Sequence, residues 1–310
     1  MSKVLIYNDS FKEILVKLVG EITHSSQITV GKRFESWDSF SFLVTTHNNK
    51  KYVAKIFRFP DWPSKGKLET VSKLLAEKNI RHEKVLHIAH AHEVFTHGWL
   101  LSEFIAGGTA KEVLDAKIIT KEKYYQEVGM LLKDTHSINM GFFGSINIVQ
   151  DRYQSFKDMA LAELEDQPFN KLAGDLLSYE KPLQQIRAEI VALLNEIGEF
   201  EQTLVHDDVG SRNILWNYGK PILIDWVDSV AGPPLRDFAT VTFRLDQNII
   251  PYLESGYGKE IDKRELRLHQ LMRFVRLGHF YLYEDMDIKE FRTMIDRAFL
   301  LLKQKVPFGM

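Results

Sequence analysis

Cysteine is absent from the 310-residue chain, which excludes disulfides and thiolate metal sites. No apolar run is long enough to span a bilayer. The N-terminal stretch Met1-Ser2-Lys3-Val4-Leu5 lacks the apolar core and cleavage site of a signal peptide. A cytoplasmic protein with no membrane partner is therefore expected. No Lys/Arg block occurs either, and the formal net charge is -2. A general nucleic-acid binder needs a basic surface to displace counterions, so that class is excluded. Low-complexity tracts and internal repeats are also missing. What remains is a globular chain with 45% hydrophobic residues, too long at 310 residues for one small core. Two lobes are the natural expectation.

The hydrophobic pattern changes character once along the chain. Ser10-Phe11-Lys12-Glu13 has the form of a capping box, and Phe11, Ile14, Leu15 and Leu18 form one apolar stripe, predicting a first helix. Strand signals follow over residues 27–30, 40–45 and 51–57, with His47-Asn48-Asn49 as a turn. A helix is predicted over 67–78, then strands over 85–88, 93–96 and 99–105. Gly107-Gly108 interrupts the chain, and helical spacing dominates beyond it. The expected fold is α+β, with a β-rich region over 1–105, a mainly helical region over 106–310, and a ligand cleft between them.

One stretch carries chemistry. Apolar strands over 213–216 and 221–225 flank the turn sequence Asn217-Tyr218-Gly219-Lys220, predicting a hairpin. A symmetric hairpin centred on Gly219 puts Asn213 and Asp225 side by side at its open end. An amide oxygen beside a carboxylate suits a hard divalent cation such as Mg²⁺. His206-x-Asp208 approaches the same end through a short loop.

His206, Asp208 and Asn213 fit the H-x-D-x-x-x-x-N spacing of a kinase catalytic loop, and Asp225-Trp226 follows where a metal-binding Asp is expected. Together these residues resemble the aminoglycoside phosphotransferase family and its relatives among choline, homoserine and macrolide kinases. The resemblance runs from about Gly31 to Ala239 and implies a bilobal protein-kinase-like fold binding ATP or GTP with Mg²⁺. It implies that Lys55, in Val53-Ala54-Lys55, holds the α- and β-phosphates and that Glu69 orients it. It further implies a purine-binding hinge at Glu103, Phe104 and Ile105, and a nucleotide loop containing Gly31 and Ser36. Asn213 and Asp225 become the metal ligands, and Asp208 the acceptor of the attacking hydroxyl's proton. The nucleotide loop departs from the family pattern in having a single glycine, and Asp207 stands where glycine is common.

Each residue also has a plain structural reading. His206 suits a hydrogen-bonded core position, Asp237 an acid holding loop backbone, Gly31 a simple turn, and Asp207 a solvated neighbour of Asp208. The aromatic run Phe280-Tyr281-Leu282-Tyr283 suits helix core. The small-molecule hydroxyl acceptor is left open. An aminoglycoside or amino sugar, with antibiotic resistance as the associated role, would need acids such as Asp228, Asp246, Glu254, Glu284, Asp285 and Asp287. Glu284, Asp285 and Asp287 equally suit a solvated helix end. A choline-like acceptor would use Tyr252, Tyr257, Tyr281 and Tyr283. A macrolide would need an apolar pocket, and a homoserine-like alcohol is a further option. The rival from outside enzymology is a non-catalytic nucleotide-binding protein of the same shape.

Overall fold

The computed structural model describes residues 4–34, 36–166, 169, 172–243, 248–304 and 306–307. Its chain divides into two compact units, Met1–Gly107 with Ile222–Val227, and Gly108–Pro221 with Asp228–Met310. Ile222–Val227, expected with the second region, thus belongs with the first, and it carries Asp225.

The first unit opens with α1 (Ser10–Thr23) and continues through β1 (Ile28–Phe34), β2 (Ser39–Thr46), β3 (Lys51–Phe57), α2 (Lys67–Glu77), β4 (Val85–Ala89) and β5 (Trp99–Glu103). The strands form one antiparallel sheet in the order β1-β2-β3-β5-β4. Phe11, Leu15 and Val19 of α1 pack with Phe42, Val44, Ala54, Ile56 and Leu101 in a common core, so the expected apolar stripe is the buried face. The capping box is not formed. Asp9 occupies the N-cap without a side-chain bond, and Asn8 Oδ1 instead accepts the Ser10 N–H at 3.0 Å. Residues 93–96 are not a strand. His92 Nδ1 accepts the N–H groups of Val94 and Phe95 at 3.2 and 3.3 Å, bending the chain so that Phe95 enters the core.

The second unit comprises β6 (Gly108–Thr109), α3 (Ala110–Asp115), α4 (Lys121–His136), β7 (Phe143–Gly144), β8 (Arg152–Tyr153), α5 (Phe156–Asp166), α6 (Glu180–Ile197), β9 (Thr203–Val205) and β10 (Ile214–Asn217). Then come β11 (Lys220–Leu223), which ends in the first unit, β12 (Val230–Gly232), α7 (Leu235–Thr242), α8 (Ile250–Tyr257), α9 (Lys263–Tyr283) and α10 (Ile288–Gln304). Residues of α5, α6, α9 and α10 share one apolar core, including Phe156, Ile186, Ile190, Phe274, Val275 and Phe291. The fold is α+β, as expected. No helix among the described residues is long and apolar enough to cross a membrane.

Helices α4 and α8 meet backbone to backbone through two glycines. A Cβ on Gly256 would lie 1.8 Å from the Gln126 carbonyl oxygen, and one on Gly129 would lie 2.2 Å from that of Leu253. Neither obstacle is a flexible side chain, so a methyl group must push the helices apart. We expect Gly256→Ala to cost at least about 1–3 kcal/mol, read as a lowered urea midpoint with an unchanged m-value. An unchanged midpoint would show that this contact yields freely.

Candidate active site

The turn between β10 and β11 places Tyr218 and Gly219 at φ 48° and 80°. Two successive positive φ values are those of a type I′ hairpin turn. The strands end at Ile214 and Leu223, so Asn213 and Asp225 stand just beyond them rather than within them. Asp225 has φ 66° and so does not continue β11.

Within the first unit, Lys55 of β3 sits opposite Ser41 and Leu100 in the ladder, and its Nζ lies 2.7 Å from Asp225 Oδ1. Burial favours the neutral amine, but Asp225, Asp38 and Glu83 outweigh it and hold the Lys55 pKa above its ordinary value. The Asp225 N–H donates to Glu83 Oε1 at 2.7 Å. Burial pushes the Glu83 carboxyl up to about 7, against the pull of Lys55.

Glu69, expected to orient Lys55, does otherwise. It lies in the first turn of α2, half-exposed, 3.7 Å from His90 Nε2. Gly31 lies inside β1, at a register shift between Val30 and Arg33, and its φ is not positive. It is thus a strand glycine and not a turn. Ser36 is exposed and donates to Asp38 Oδ1, while the neighbouring Glu35 lies outside the described residues. In the expected hinge, the N–H groups of Glu103 and Phe104 are bonded to Lys84 O at 2.8 Å and Lys51 O at 3.3 Å. Both amides are therefore committed to protein acceptors.

In the second unit, the loop after β9 is built around buried Asp237 of α7. Its carboxylate accepts the N–H groups of His206 and Asp207 at 3.0 and 2.8 Å, and it faces His136 Nε2 at 3.0 Å. Asp237 therefore holds loop backbone. His206 is fully buried, and its Nδ1 accepts the Asp208 N–H at 3.2 Å. Asn213 Nδ2 donates to both the carbonyl oxygen and Oδ2 of Asp208, at 2.9 and 2.8 Å. With its nitrogen so occupied, Asn213 keeps its amide oxygen for another partner.

Asp207 is not a solvated neighbour. It is buried at φ 62°, gripped by Arg236 through Nε and a terminal nitrogen at 3.0 and 2.9 Å, and paired with Arg276. Burial alone would raise its pKa. Arg236 and Arg276 outweigh this and hold the carboxyl far below the usual range. Arg236 also pairs with Glu163 of α5 at 3.0 Å. Arg273 of α9, only 10% exposed, donates to Asp208 Oδ1 at 2.8 Å and to the Asp207 carbonyl at 2.9 Å. Burial lowers the Arg273 pKa, and Arg276 beside it adds to the effect.

These arginines are the residues that sequence reasoning missed. For Arg273 and Arg276 the one available signal was their i, i+3 spacing on α9. Two of the expected acceptor acids are engaged by backbone within the fold. Glu254 accepts the Ile261 N–H at 2.9 Å, Asp287 caps α10 through the Glu290 N–H at 3.0 Å, and Asp246 lies outside the described residues. Tyr257 is likewise engaged, its hydroxyl 3.1 Å from His136 Nδ1.

Asn213 and Asp225 offer hard oxygens of the kind that suit Mg²⁺. Among the described residues, no group of three or more His, Asp or Glu side chains could hold a metal ion.

Residues 30–269 match the model of the phosphotransferase enzyme family. A comparison with curated protein sequences found no match. Among solved structures, the fold resembles a thermostable mutant of aminoglycoside phosphotransferase APH(4)-Ia in ternary complex with AMP-PNP and hygromycin B. The TM-score is 0.75 and identity 18%, covering 96% of this chain and 98% of that one. A candidate fructosamine-3-kinase from Thermobifida fusca gives 0.65 at 14% identity, covering 93% and 98%. A candidate aminoglycoside phosphotransferase from Ralstonia eutropha gives 0.63 at 12% identity, covering 94% and 98%. At such identities the likeness is one of fold.

Proposed function

The chain belongs to the phosphotransferase enzyme family and is a small-molecule kinase, and on that premise we propose that it transfers the γ-phosphate of ATP or GTP to a hydroxyl of a small molecule. The observation that carries this reading is the Lys55–Asp225 ion pair at 2.7 Å, which brings the expected phosphate-binding lysine to the expected metal-binding acid. A non-catalytic nucleotide binder would be expected to lack part of the machinery, whereas Lys55, Asp208, Asn213 and Asp225 are all present.

In this reading Lys55 holds the α- and β-phosphates. Asp225 and Asn213 would hold Mg²⁺, which would neutralise phosphate charge. Asp208 accepts the proton of the attacking hydroxyl, whose oxygen bonds to the γ-phosphorus as the bond to the leaving oxygen breaks. Arg273 fixes one oxygen of Asp208, and Asn213 the other. The backbone of the segment from Glu103 to Ile105 receives the purine. Since the amides of Glu103 and Phe104 are already bonded, the Ile105 N–H and the carbonyls are the groups that would do so. Gly31 and Ser36 would lie over the phosphates.

For the acceptor, an aminoglycoside or amino sugar is the reading that follows from the fold relatives. The arginines favour a second one. A polycation placed beside Asp208 would meet Arg273 and Arg276, a like-charge contact that specific sites avoid. A neutral or zwitterionic alcohol, such as a homoserine-like one, fits better. The decisive experiment offers hygromycin B, choline, homoserine and erythromycin with ATP or GTP and Mg²⁺, and identifies products by mass. Phosphorylation of hygromycin B alone would return the acceptor to the aminoglycosides. No phosphorylated product from a wide panel of alcohols would sink the kinase reading.

Asp225→Ala is expected to abolish Mg²⁺-dependent nucleotide binding and activity together, since it removes both a metal ligand and the partner of Lys55. Calorimetry with AMP-PNP, with and without Mg²⁺, checks this. Undiminished Mg²⁺-dependent binding would remove Asp225 from the site.

A further inference from the structure

We propose that Glu83, and not Glu69, is the carboxylate that positions the Lys55–Asp225 pair. The inference rests on the kinase reading above and adds a residue to it. Glu83 lies between α2 and β4, in a segment fastened to the sheet by the Lys84 carbonyl, which accepts the Glu103 N–H at 2.8 Å. From there Glu83 Oε1 takes the Asp225 N–H at 2.7 Å. Its other oxygen is buried and has no hydrogen-bond partner among the described residues. Asp225 occupies the left-handed region at φ 66°, a conformation that persists where surrounding contacts impose it. Glu83 supplies such a contact.

The consequence for Lys55 is indirect. Its ammonium sits 2.7 Å from Asp225 Oδ1, so whatever fixes the backbone of Asp225 also fixes the direction in which Lys55 points. Glu83 adds negative charge on the same side, since Lys55 is attracted by Asp225, Asp38 and Glu83 together. Glu69 makes no comparable contact. It is half-exposed and faces His90. An acid in the first turn of a helix is favoured there by the helix dipole alone, which accounts for it. Glu83 is thus a positioning residue that acts through Asp225.

The test is Mg²⁺-dependent binding of AMP-PNP to the full chain, by calorimetry, for the unmodified protein and for Glu83→Ala, Glu83→Asp, Glu83→Gln and Glu69→Ala. Loss of the hydrogen bond to the Asp225 N–H should raise the Mg²⁺ concentration for half-maximal binding by roughly tenfold in Glu83→Ala. Glu83→Asp, one methylene shorter, should lose as much while keeping its charge, and it decides the matter if Glu83→Ala does not fold. Glu83→Gln keeps a carbonyl that can accept the Asp225 N–H and should recover most of the affinity. Glu69→Ala should stay within about twofold of the unmodified protein, as surface changes generally do. A loss in Glu69→Ala equal to or greater than that in the Glu83 variants overturns the proposal, as does unmodified behaviour in Glu83→Ala and Glu83→Asp. If the unmodified protein shows no Mg²⁺-dependent AMP-PNP binding, the kinase reading itself falls, and this inference with it.

Discussion

Asp208→Ala lowers turnover by about 10²–10⁴-fold, roughly 3–5 kcal/mol of barrier, while leaving nucleotide affinity in place. The expectation follows from what Asp208 touches. One oxygen is fixed by Arg273 and the other by Asn213, and the residue is still 36% exposed. It is oriented without being sealed off. Neighbouring Asp207 cannot take over, since its carboxylate is buried between Arg236 and Arg276. Steady-state kinetics with a turned-over acceptor, alongside AMP-PNP calorimetry, separates the two effects. Full activity in Asp208→Ala would remove it from the mechanism. Equal loss of AMP-PNP affinity would mean that Asp208 serves nucleotide binding instead.

The second large effect falls on stability. Asp207→Asn should cost about 3–5 kcal/mol, because it leaves the Arg236 and Arg276 guanidiniums without their common counter-charge in a buried site. Its pH dependence has a definite sign. The folded pKa of Asp207 lies below its unfolded value, so the contribution is fully present above about pH 4 and is lost as pH falls further toward the folded value. Urea midpoints at neutral pH and near pH 3 should therefore converge between the unmodified protein and Asp207→Asn. Midpoints that differ by the same amount at both pH values would refute a charge-based role.

The parts of this fold that could be read from the sequence are those whose signals are local. Phe11, Ile14, Leu15 and Leu18 recur at helical spacing because one face of α1 must be covered. Asn217-Tyr218-Gly219-Lys220 marks a hairpin because its glycine readily takes the positive φ that such a turn requires. Asp208, Asn213 and Asp225 stood out because a loop, a hairpin and an acid follow one another along one short stretch of sequence. The partners of these residues did not. Glu83 reaches the Asp225 amide across 142 positions, and Arg276 reaches Asp207 across 69. No periodicity encodes such pairings. The sequence misled where two local readings competed. A helix-start acid is equally a dipole partner and a lysine's counter-ion, and Glu69 proved to face His90. An aspartate beside an exposed aspartate reads as solvated until the arginines that enclose it are known.

Glu163, Asp207, Arg236 and Arg276 form one connected run of charges, drawn from α5, the loop after β9, α7 and α9. The run is expected to impose an order on biosynthesis. Chains emerge N-terminus first, so Asp207 leaves the ribosome well before the helix that carries Arg273 and Arg276. Until that helix arrives, the acid has Arg236 alone, and Arg236 is shared with Glu163. Burying the loop then would strand a charge, so the nascent chain gains by keeping it in water. The second unit is thus expected to close only after α9 has been made. In a series of stalled nascent chains, protection of residues 203–213 from protease should appear abruptly once Arg276 has cleared the ribosome, and not in step with length.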